Sequence, residues 1–140
     1  MPAGSDLTYA IGSVPLFAGL DKKQVKTLIE SGRERSFKAG QNLVSEGDMG
    51  VGFYLILEGK VSVRKGTKAL ASLSKGQFFG EMSLIDEERR SADVVAAEPT
   101  KCFILTPWVF RPLVKKNPEI ALAILRELAK RLRTAQSFTS

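Results

Sequence analysis

Short β-prone runs between glycines constrain the fold of this chain most strongly. From Arg35 to Thr106 the runs are only a few residues long, and Gly, Asp and Asn separate them. Short strands at such regular spacing are typical of an antiparallel barrel or sandwich, because each turn returns the chain to a neighbouring strand. The runs lie at Phe37, 42–44, 52–57, 60–64, 69–73, 77–79, 91–97 and 101–106.

The segment FYLILEGKVSV, residues 53–63, is the clearest candidate for a hairpin. Phe53, Leu55 and Leu57 alternate with the residues between them, and this period of two predicts a strand. Gly59 has the backbone freedom to reverse the chain into a second strand that contains Val63.

Helical patterns flank this β-rich region. Asp21 and Gln24 have the spacing of a capping box, which predicts a helix that ends at Ser31 before Gly32. Further on, Thr106-Pro107 and Asn117-Pro118 predict two helix starts; the second helix is expected from about Glu119 to Ala135. The fold class predicted is therefore α+β: an antiparallel β-barrel or jelly roll of about eight short strands, with an N-terminal helix and two C-terminal helices.

The chain length of 140 residues fits one domain. We expect an N-terminal tail over residues 1–13 and a single domain over 14–140. Within the domain we expect a helical segment at 14–34, the β-barrel at 35–106 and the C-terminal helices at 107–137.

Composition argues against several functions. The chain has no histidine, which removes the commonest general base, and neither a metal-ligand spacing nor a nucleophile beside a base is found. We expect a binding protein without catalytic residues, metal or cofactor.

Cys102 lies in an apolar run, which predicts a buried thiol in a reducing compartment. No signal peptide or apolar run of about 18 residues is found, so we expect a cytoplasmic protein without a membrane span.

The formal net charge is +6. The late basic residues have two interpretations, a solvated helix surface or a nucleic-acid-binding surface. The absence of interleaved aromatic residues favours the solvated surface, and direct DNA binding is not expected. These residues are Lys115, Lys116, Arg126, Lys130, Arg131 and Arg133.

The segment FGEMSLIDEERRSADVV, residues 79–95, contains the groups with the most distinctive chemistry. Gly80 permits a positive φ, and the residues that follow can form one helical turn whose first amides point outward toward an anion. Arg90 adds a planar, permanently charged fork and Ser91 adds a hydroxyl donor. These donors suit a phosphate.

Glu81 is the exception, because a phosphate repels a carboxylate. Its presence is consistent with a ligand that also has a hydroxyl close to its phosphate, as in a nucleotide with a ribose. The alternative is a surface turn in which Glu81 and Arg90 pair with each other and the charged residues between them are solvated.

The same segment resembles the phosphate-binding cassette of the cyclic nucleotide-binding domain family, which reads Phe-Gly-Glu, a short variable loop, then Arg-Ser/Thr-Ala. The segments VPLFAGLDKKQV and KAGQNLVSEGDMGVGFYLILEGKVSV also resemble that family. The resemblance covers about residues 14–135 and places the cassette at 79–93.

The resemblance implies a role for each matching residue. It assigns the ribose 2'-hydroxyl to Glu81, the cyclic phosphate to Arg90 and a further phosphate contact to Ser91. The full set of ligand-binding residues that it implies is Phe79, Gly80, Glu81, Met82, Ser83, Arg90, Ser91, Ala92 and Thr134.

Three positions depart from the family pattern or extend it. Asp93 stands where the family often has Ser, Thr or a larger residue, and its negative charge is expected to weaken binding or alter base choice. Ser83 replaces the more usual Ala or Gly and is expected to add a donor. Near the end of the last helix, Thr134 and Gln136 can bond a purine edge, although a fraying terminus is the alternative.

The function implied is a regulatory sensor for a 3',5'-cyclic nucleotide, with cAMP as the expected ligand and cGMP as the second candidate. Binding would shift the C-terminal helices and signal to a partner domain or an unknown protein effector. The chain stops before the helix-turn-helix of bacterial relatives, so no DNA-binding domain is expected. A structural or interaction member of the fold that binds no ligand is the other hypothesis.

The apolar seam of the last helix fits a monomer or a weak homodimer; its residues are Leu125, Leu128, Leu132 and Ala135.

Overall fold

The computed structural model describes residues 3–49, 51–86 and 89–135 and divides into two compact units. A helical unit contains residues 3–31 and 111–135. A β-rich unit extends from Gly32 to Phe110 and holds every strand of the described residues.

The β-rich unit is a jelly roll of two antiparallel four-stranded sheets, which confirms the predicted fold class. One sheet has the order β1-β8-β3-β6 and the other has the order β2-β7-β4-β5. The strands are β1 Arg33–Phe37, β2 Asn42–Val44, β3 Phe53–Glu58, β4 Lys60–Lys65, β5 Lys68–Ser74, β6 Phe78–Phe79, β7 Asp93–Ala96 and β8 Thr100–Leu105.

Apolar side chains from strands of both sheets form the core of the β-rich unit. Phe79 stacks on Tyr54 with 4.9 Å between ring centroids, and Phe37 packs against the same tyrosine at 6.5 Å. Such burial is the main source of stability for a domain of this size. The buried residues are Phe37, Leu43, Val44, Tyr54, Ile56, Val61, Phe79, Val94, Ala96, Cys102 and Ile104.

The predicted hairpin between β3 and β4 is wrong, because these strands belong to different sheets. Gly59 does turn the chain, with φ +94°, but β3 pairs with β6 and β8 while β4 pairs with β5 and β7. Four consecutive residues of β3 are buried, so the strand has no solvent-facing side. The alternation from residue 53 to 58 predicted a strand correctly but could not identify its neighbours.

Two strand boundaries differ from the prediction by more than one residue. β1 covers Arg33–Phe37, although only Phe37 was predicted to lie in a strand. The first four residues were missed because they are exposed and show no apolar pattern. β7 begins at Asp93, so Ser91 lies outside the strand, in a bend.

The helical unit starts with a helix that the sequence analysis assigned to a tail. Leu7 and Ile11 are buried one turn apart in this helix, but two apolar positions among small and polar residues are too few to define a period. The helices of the helical unit are α1 Ala3–Gly12, a 3₁₀ helix Pro15–Phe17, α2 Lys22–Ser31 and α5 Pro118–Ala135. Helix α4, Pro107–Lys116, begins in the β-rich unit and ends in the helical unit, and the short α3, Ser83–Asp86, belongs to the β-rich unit.

The capping box of α2 forms as predicted. The amide of Gln24 donates to Asp21 Oδ1 at 2.8 Å, and the amide of Asp21 donates to Gln24 Oε1 at 3.0 Å. Gly32 follows α2, but it does not have a positive φ. A side chain there would collide with the ring of Phe103, so close packing is the reason for this glycine.

The apolar seam predicted on α5 is not its buried face. Leu125 and Leu132 are 60% and 59% exposed. The buried positions of α5 are Ile120, Ala123 and Ile124, on another side of the helix.

Candidate ligand-binding site

A sharp turn after β6 begins the candidate site. Gly80 has φ +80°, a conformation that side chains other than glycine rarely adopt. A Cβ on Gly80 would also collide with the carbonyl oxygen of Gly52 and lie 3.6 Å from Arg90 Nη1. Only glycine therefore allows the turn to lie this close to the start of β3.

Two backbone amides after the turn have no acceptor in the described part of the chain, those of Glu81 and Met82. The amide of Ser83 donates to Gly80 O at 3.1 Å, and that of Leu84 donates to Glu81 O at 3.3 Å. The expected anion-facing amides are thus Glu81 and Met82, whereas the Ser83 amide is already used within the turn.

The hydroxyl of Ser83 has a structural role that the sequence analysis did not foresee. It donates to Gly80 O at 2.7 Å and accepts from the amide of Gly52 at 3.0 Å. Because a hydroxyl has one hydrogen, Ser83 cannot add a donor for a ligand while these bonds persist. The expectation of an extra donor at Ser83 is corrected.

Arg90 is held by its main chain and has an unsatisfied side chain. Its amide donates to Asp48 O at 2.8 Å, and its carbonyl oxygen accepts from the amide of Gly47 at 2.9 Å. The guanidinium carbon lies 5.5 Å from the centroid of the Phe79 ring. Arg90 Nε is buried and has no hydrogen-bond partner among the described residues. A buried donor in this state is unusual in a folded protein, and an anionic ligand could satisfy it.

Glu81 and Arg90 do not pair in the described structure, contrary to the alternative interpretation from the sequence. No salt bridge or hydrogen bond joins their side chains within residues 3–49, 51–86 and 89–135. Glu81 is half-buried and Ser91 is exposed, and neither side chain has a partner in the same residues. Their polar atoms can therefore accept or donate to a ligand.

Asp93 stabilises a neighbouring loop, a role that was also not predicted. Its Oδ1 accepts from the amide of Glu46 at 2.7 Å, and Asp48 Oδ2 accepts from the amide of Ser45 at 2.8 Å. Arg89 Nη1 donates to Gly47 O in the same loop at 3.1 Å. The loop that anchors the Arg90 main chain is thus held from both sides; the turn-forming sequence Ser-Glu-Gly-Asp was a local signal for it.

These elements surround a concavity of ≈ 260 Å³. This volume is just below the range of about 300–1,000 Å³ for pockets that enclose a drug-sized ligand, so it suits the phosphate and sugar part of a nucleotide. The lining residues are Gly80, Glu81, Met82, Ser83, Asp86, Arg89, Arg90 and Ser91.

Most of the residues predicted for the site are brought together. Six of the nine line the concavity, while Phe79 lies against the Arg90 guanidinium and Ala92 is buried. Thr134 is an exposed residue of α5 in the helical unit, and its role stays a prediction. Gln136 lies outside the described residues.

No cluster of three or more His, Cys, Asp or Glu side chains able to hold a metal ion occurs in residues 3–49, 51–86 and 89–135. Among the helices described, none is long and apolar enough to cross a membrane.

The jelly roll and the Gly-Glu and Arg-Ser segments of the concavity define a class of nucleotide-binding regulatory module. Residues 34–117 match the family model of the cyclic nucleotide-binding domain, and the chain belongs to this family.

Two relatives illustrate the range of proteins that contain this module. The chain is 36% identical over 126 residues to the cyclic AMP receptor protein of Thermus thermophilus, covering 86% of this chain and 58% of that protein. It is 30% identical to the cAMP-dependent protein kinase regulatory subunit of Debaryomyces hansenii, covering 96% of this chain and 30% of that subunit. The chain thus spans less than two thirds of the length of either relative.

Solved structures agree with this assignment. The N-terminal domain of a transcriptional regulator from Streptomyces coelicolor superposes with a TM-score of 0.84 and 33% identity, covering 94% of this chain and 95% of that one. The Thermus thermophilus catabolite activator protein superposes with a TM-score of 0.67 and 35% identity, covering 89% of this chain and 61% of that one.

Proposed function

We propose that this protein is a regulatory sensor that binds a 3',5'-cyclic nucleotide, with cAMP as its ligand, in the concavity beside Arg90. The observation that supports this most directly is the buried Arg90 Nε without a partner. A phosphate oxygen would complete its hydrogen bonding and neutralise the guanidinium charge, two gains that the ligand-free protein lacks.

The remaining groups divide between phosphate and sugar. The amides of Glu81 and Met82 and the Ser91 hydroxyl are donors suited to the other phosphate oxygens. The Glu81 carboxylate is an acceptor suited to the ribose 2'-hydroxyl, and this contact would offset its repulsion from the phosphate. A 2'-deoxy ligand would leave that half-buried carboxylate without a donor, so we expect the site to prefer a ribonucleotide.

The preference for cAMP is supported by the relatives whose names include cyclic AMP or cAMP. Other relatives are named cGMP-dependent protein kinases, among them one from Eimeria tenella that is 34% identical over 101 residues. Cyclic GMP is therefore the ligand against which selectivity should be measured.

The signalling step proposed is a population shift of the segment from Pro107 to Ala135. Nucleotide binding can favour one position of this segment only if the ligand interacts differently with the two positions. A partner domain or protein would then respond to the favoured position. The regulatory role needs no catalytic residue in this chain, which contains no histidine.

Isothermal titration tests the proposal. The chain is titrated with cAMP, cGMP, 2'-deoxy-cAMP and, as an acyclic control, 5'-AMP; Arg90→Ala is titrated beside Arg126→Ala, a matched change of an exposed arginine on α5. We expect saturable binding of cAMP, weaker binding of the other ligands, loss of binding in Arg90→Ala and no change in Arg126→Ala.

The absence of heat with both cyclic nucleotides at about a millimolar, where the binding free energy is only about 4 kcal/mol, would refute the proposal. The structural or interaction function would then be favoured. Affinity for DNA that falls steeply with salt concentration would instead support the basic residues of the last helices as a nucleic-acid surface.

A further inference from the structure

Ser83 connects the ligand-facing turn to the start of β3. Ser83 is only 4% exposed, and its hydroxyl donates to Gly80 O at 2.7 Å and accepts from the amide of Gly52 at 3.0 Å. The turn that it closes contains the unpartnered amides of Glu81 and Met82. The hydroxyl therefore joins the backbone that would contact the phosphate to a residue 31 positions away.

Gly52 is confined on its other side. It has φ +87°, and a Cβ there would collide with Leu105 O and lie 3.0 Å from Thr106 Cα. Leu105 ends β8, and α4 begins at Pro107. Gly52 thus lies in close contact with two segments, the ligand-facing turn and the junction from which α4 begins.

We propose that Ser83 is a positioning residue that couples occupancy of the site to the start of α4 through Gly52. This inference rests on the proposed function. A phosphate that bonds the amides of Glu81 and Met82 displaces the turn, and Gly52 follows because the Ser83 hydroxyl joins it to Gly80. Since there is no room even for a methyl group between Gly52 and the junction of Leu105 and Thr106, its displacement moves that junction.

The chain contains a natural reporter for this movement. Trp108 is the only tryptophan in the sequence, it is the second residue of α4, and it is 65% exposed. A change in the position of the first turn of α4 alters the surroundings of its indole ring, which changes the fluorescence emission and the indole N–H chemical shift.

The first experiment separates coupling from affinity by means of two serine variants. Wild type, Ser83→Ala and Ser91→Ala are titrated with cAMP, with heat as the measure of binding and Trp108 emission as the measure of response. Ser91 lines the same concavity, but its hydroxyl has no partner in the described residues, so it serves as the matched control.

We expect Ser83→Ala to bind cAMP within about tenfold of wild type and to lose more than about half of the Trp108 response at saturation; tenfold corresponds to about 1.4 kcal/mol, close to one hydrogen bond. Ser91→Ala should bind more weakly but give the full response at saturation. A full response in Ser83→Ala, complete loss of its binding, or an equal loss of response in Ser91→Ala would overturn the proposal.

A second experiment needs no nucleotide. Hydrogen exchange of the Gly52 amide, followed by NMR, should be about five- to tenfold faster in Ser83→Ala than in wild type, because the acceptor of that amide is removed. The Ile56 amide, which donates to Gln77 O at 2.9 Å, is the internal control. Unchanged Gly52 exchange, or an unchanged Trp108 indole signal in the ligand-free variant, would overturn the proposal even if no nucleotide binds. Absence of binding by wild type would refute the proposed function separately.

Discussion

Replacing Arg90 with methionine should leave the ligand-free protein as stable as wild type, or more stable, although the residue lies at the centre of the candidate site. The buried Nε has no partner in the described residues, and such an unsatisfied donor costs about 1–3 kcal/mol. The guanidinium contact with the Phe79 ring at 5.5 Å offsets about 0.5–2 kcal/mol of this cost. Methionine has a similar unbranched shape and can also contact the ring. The difference between the two contributions runs from a loss of about 1 kcal/mol to a gain of about 2.5 kcal/mol, and the contact of methionine with the ring shifts it toward a gain.

The assay is urea-induced unfolding of wild type and Arg90→Met, each with and without cAMP. In wild type, ligand at about a hundred times its dissociation constant should add about 2.7 kcal/mol of stability, whereas the variant should gain almost nothing. Arg126→Met, an exposed arginine on α5, controls for the loss of a positive charge and should stay within about 0.5 kcal/mol of wild type in both conditions.

Two results would refute this reasoning. If ligand-free Arg90→Met loses more than about 1 kcal/mol, the guanidinium stabilises the native fold and its unsatisfied Nε is not a cost. If cAMP stabilises the variant as much as wild type, the phosphate does not depend on Arg90.

Three further predictions concern the backbone at Gly80, the loop held by Asp93 and the thiol of Cys102. Gly80→Ala should destabilise the protein by about 2–4 kcal/mol in urea unfolding, because the costs of the positive φ and of the collision with Gly52 O add together. The control Gly66→Ala should cost only about 1–2 kcal/mol, because Gly66 has φ +61° but open space around it. Equal losses in the two variants would contradict the steric argument. Asp93→Ala should cost about 1 kcal/mol of stability and weaken cAMP binding in calorimetry, since the carboxylate holds the loop that anchors Arg90, and a gain in affinity would contradict this. Burial raises the pKa of Cys102 to about 12, so its thiol should not react with a disulfide reagent at pH 8 until the protein is unfolded. The free energy of unfolding should fall as the pH rises above about 9, because only the unfolded thiol ionises there. Rapid labelling of the native protein at pH 8 would refute this.

Features that depend on nearby residues were predicted well. The capping box of Asp21 and Gln24 forms because its two hydrogen bonds join residues three positions apart. Gly80 and Arg90 were assigned to one candidate site because the matching pattern lies in one continuous segment, and both line the same concavity. Such patterns are visible in a sequence because the interacting groups are also neighbours along the chain.

Interactions between distant segments could not be predicted from local patterns. Asp93 was interpreted as a charge that disturbs the ligand, but it holds the amide of Glu46, 47 positions earlier. Ser83 was interpreted as a ligand donor, but its hydroxyl bonds Gly52, 31 positions earlier. In both cases the partner residue, rather than the residue type, determines the role of the side chain.

The sequence by itself determined the family, the antiparallel β architecture and the continuous segment that contains the candidate site. The tertiary structure alone decided that β3 and β4 belong to different sheets, that residues 3–12 form a helix and that Ser83 is used within the protein. The physical reason is that turn conformation and charge depend on residue type and short spacing, whereas strand partners and buried hydrogen bonds depend on which distant segments pack together.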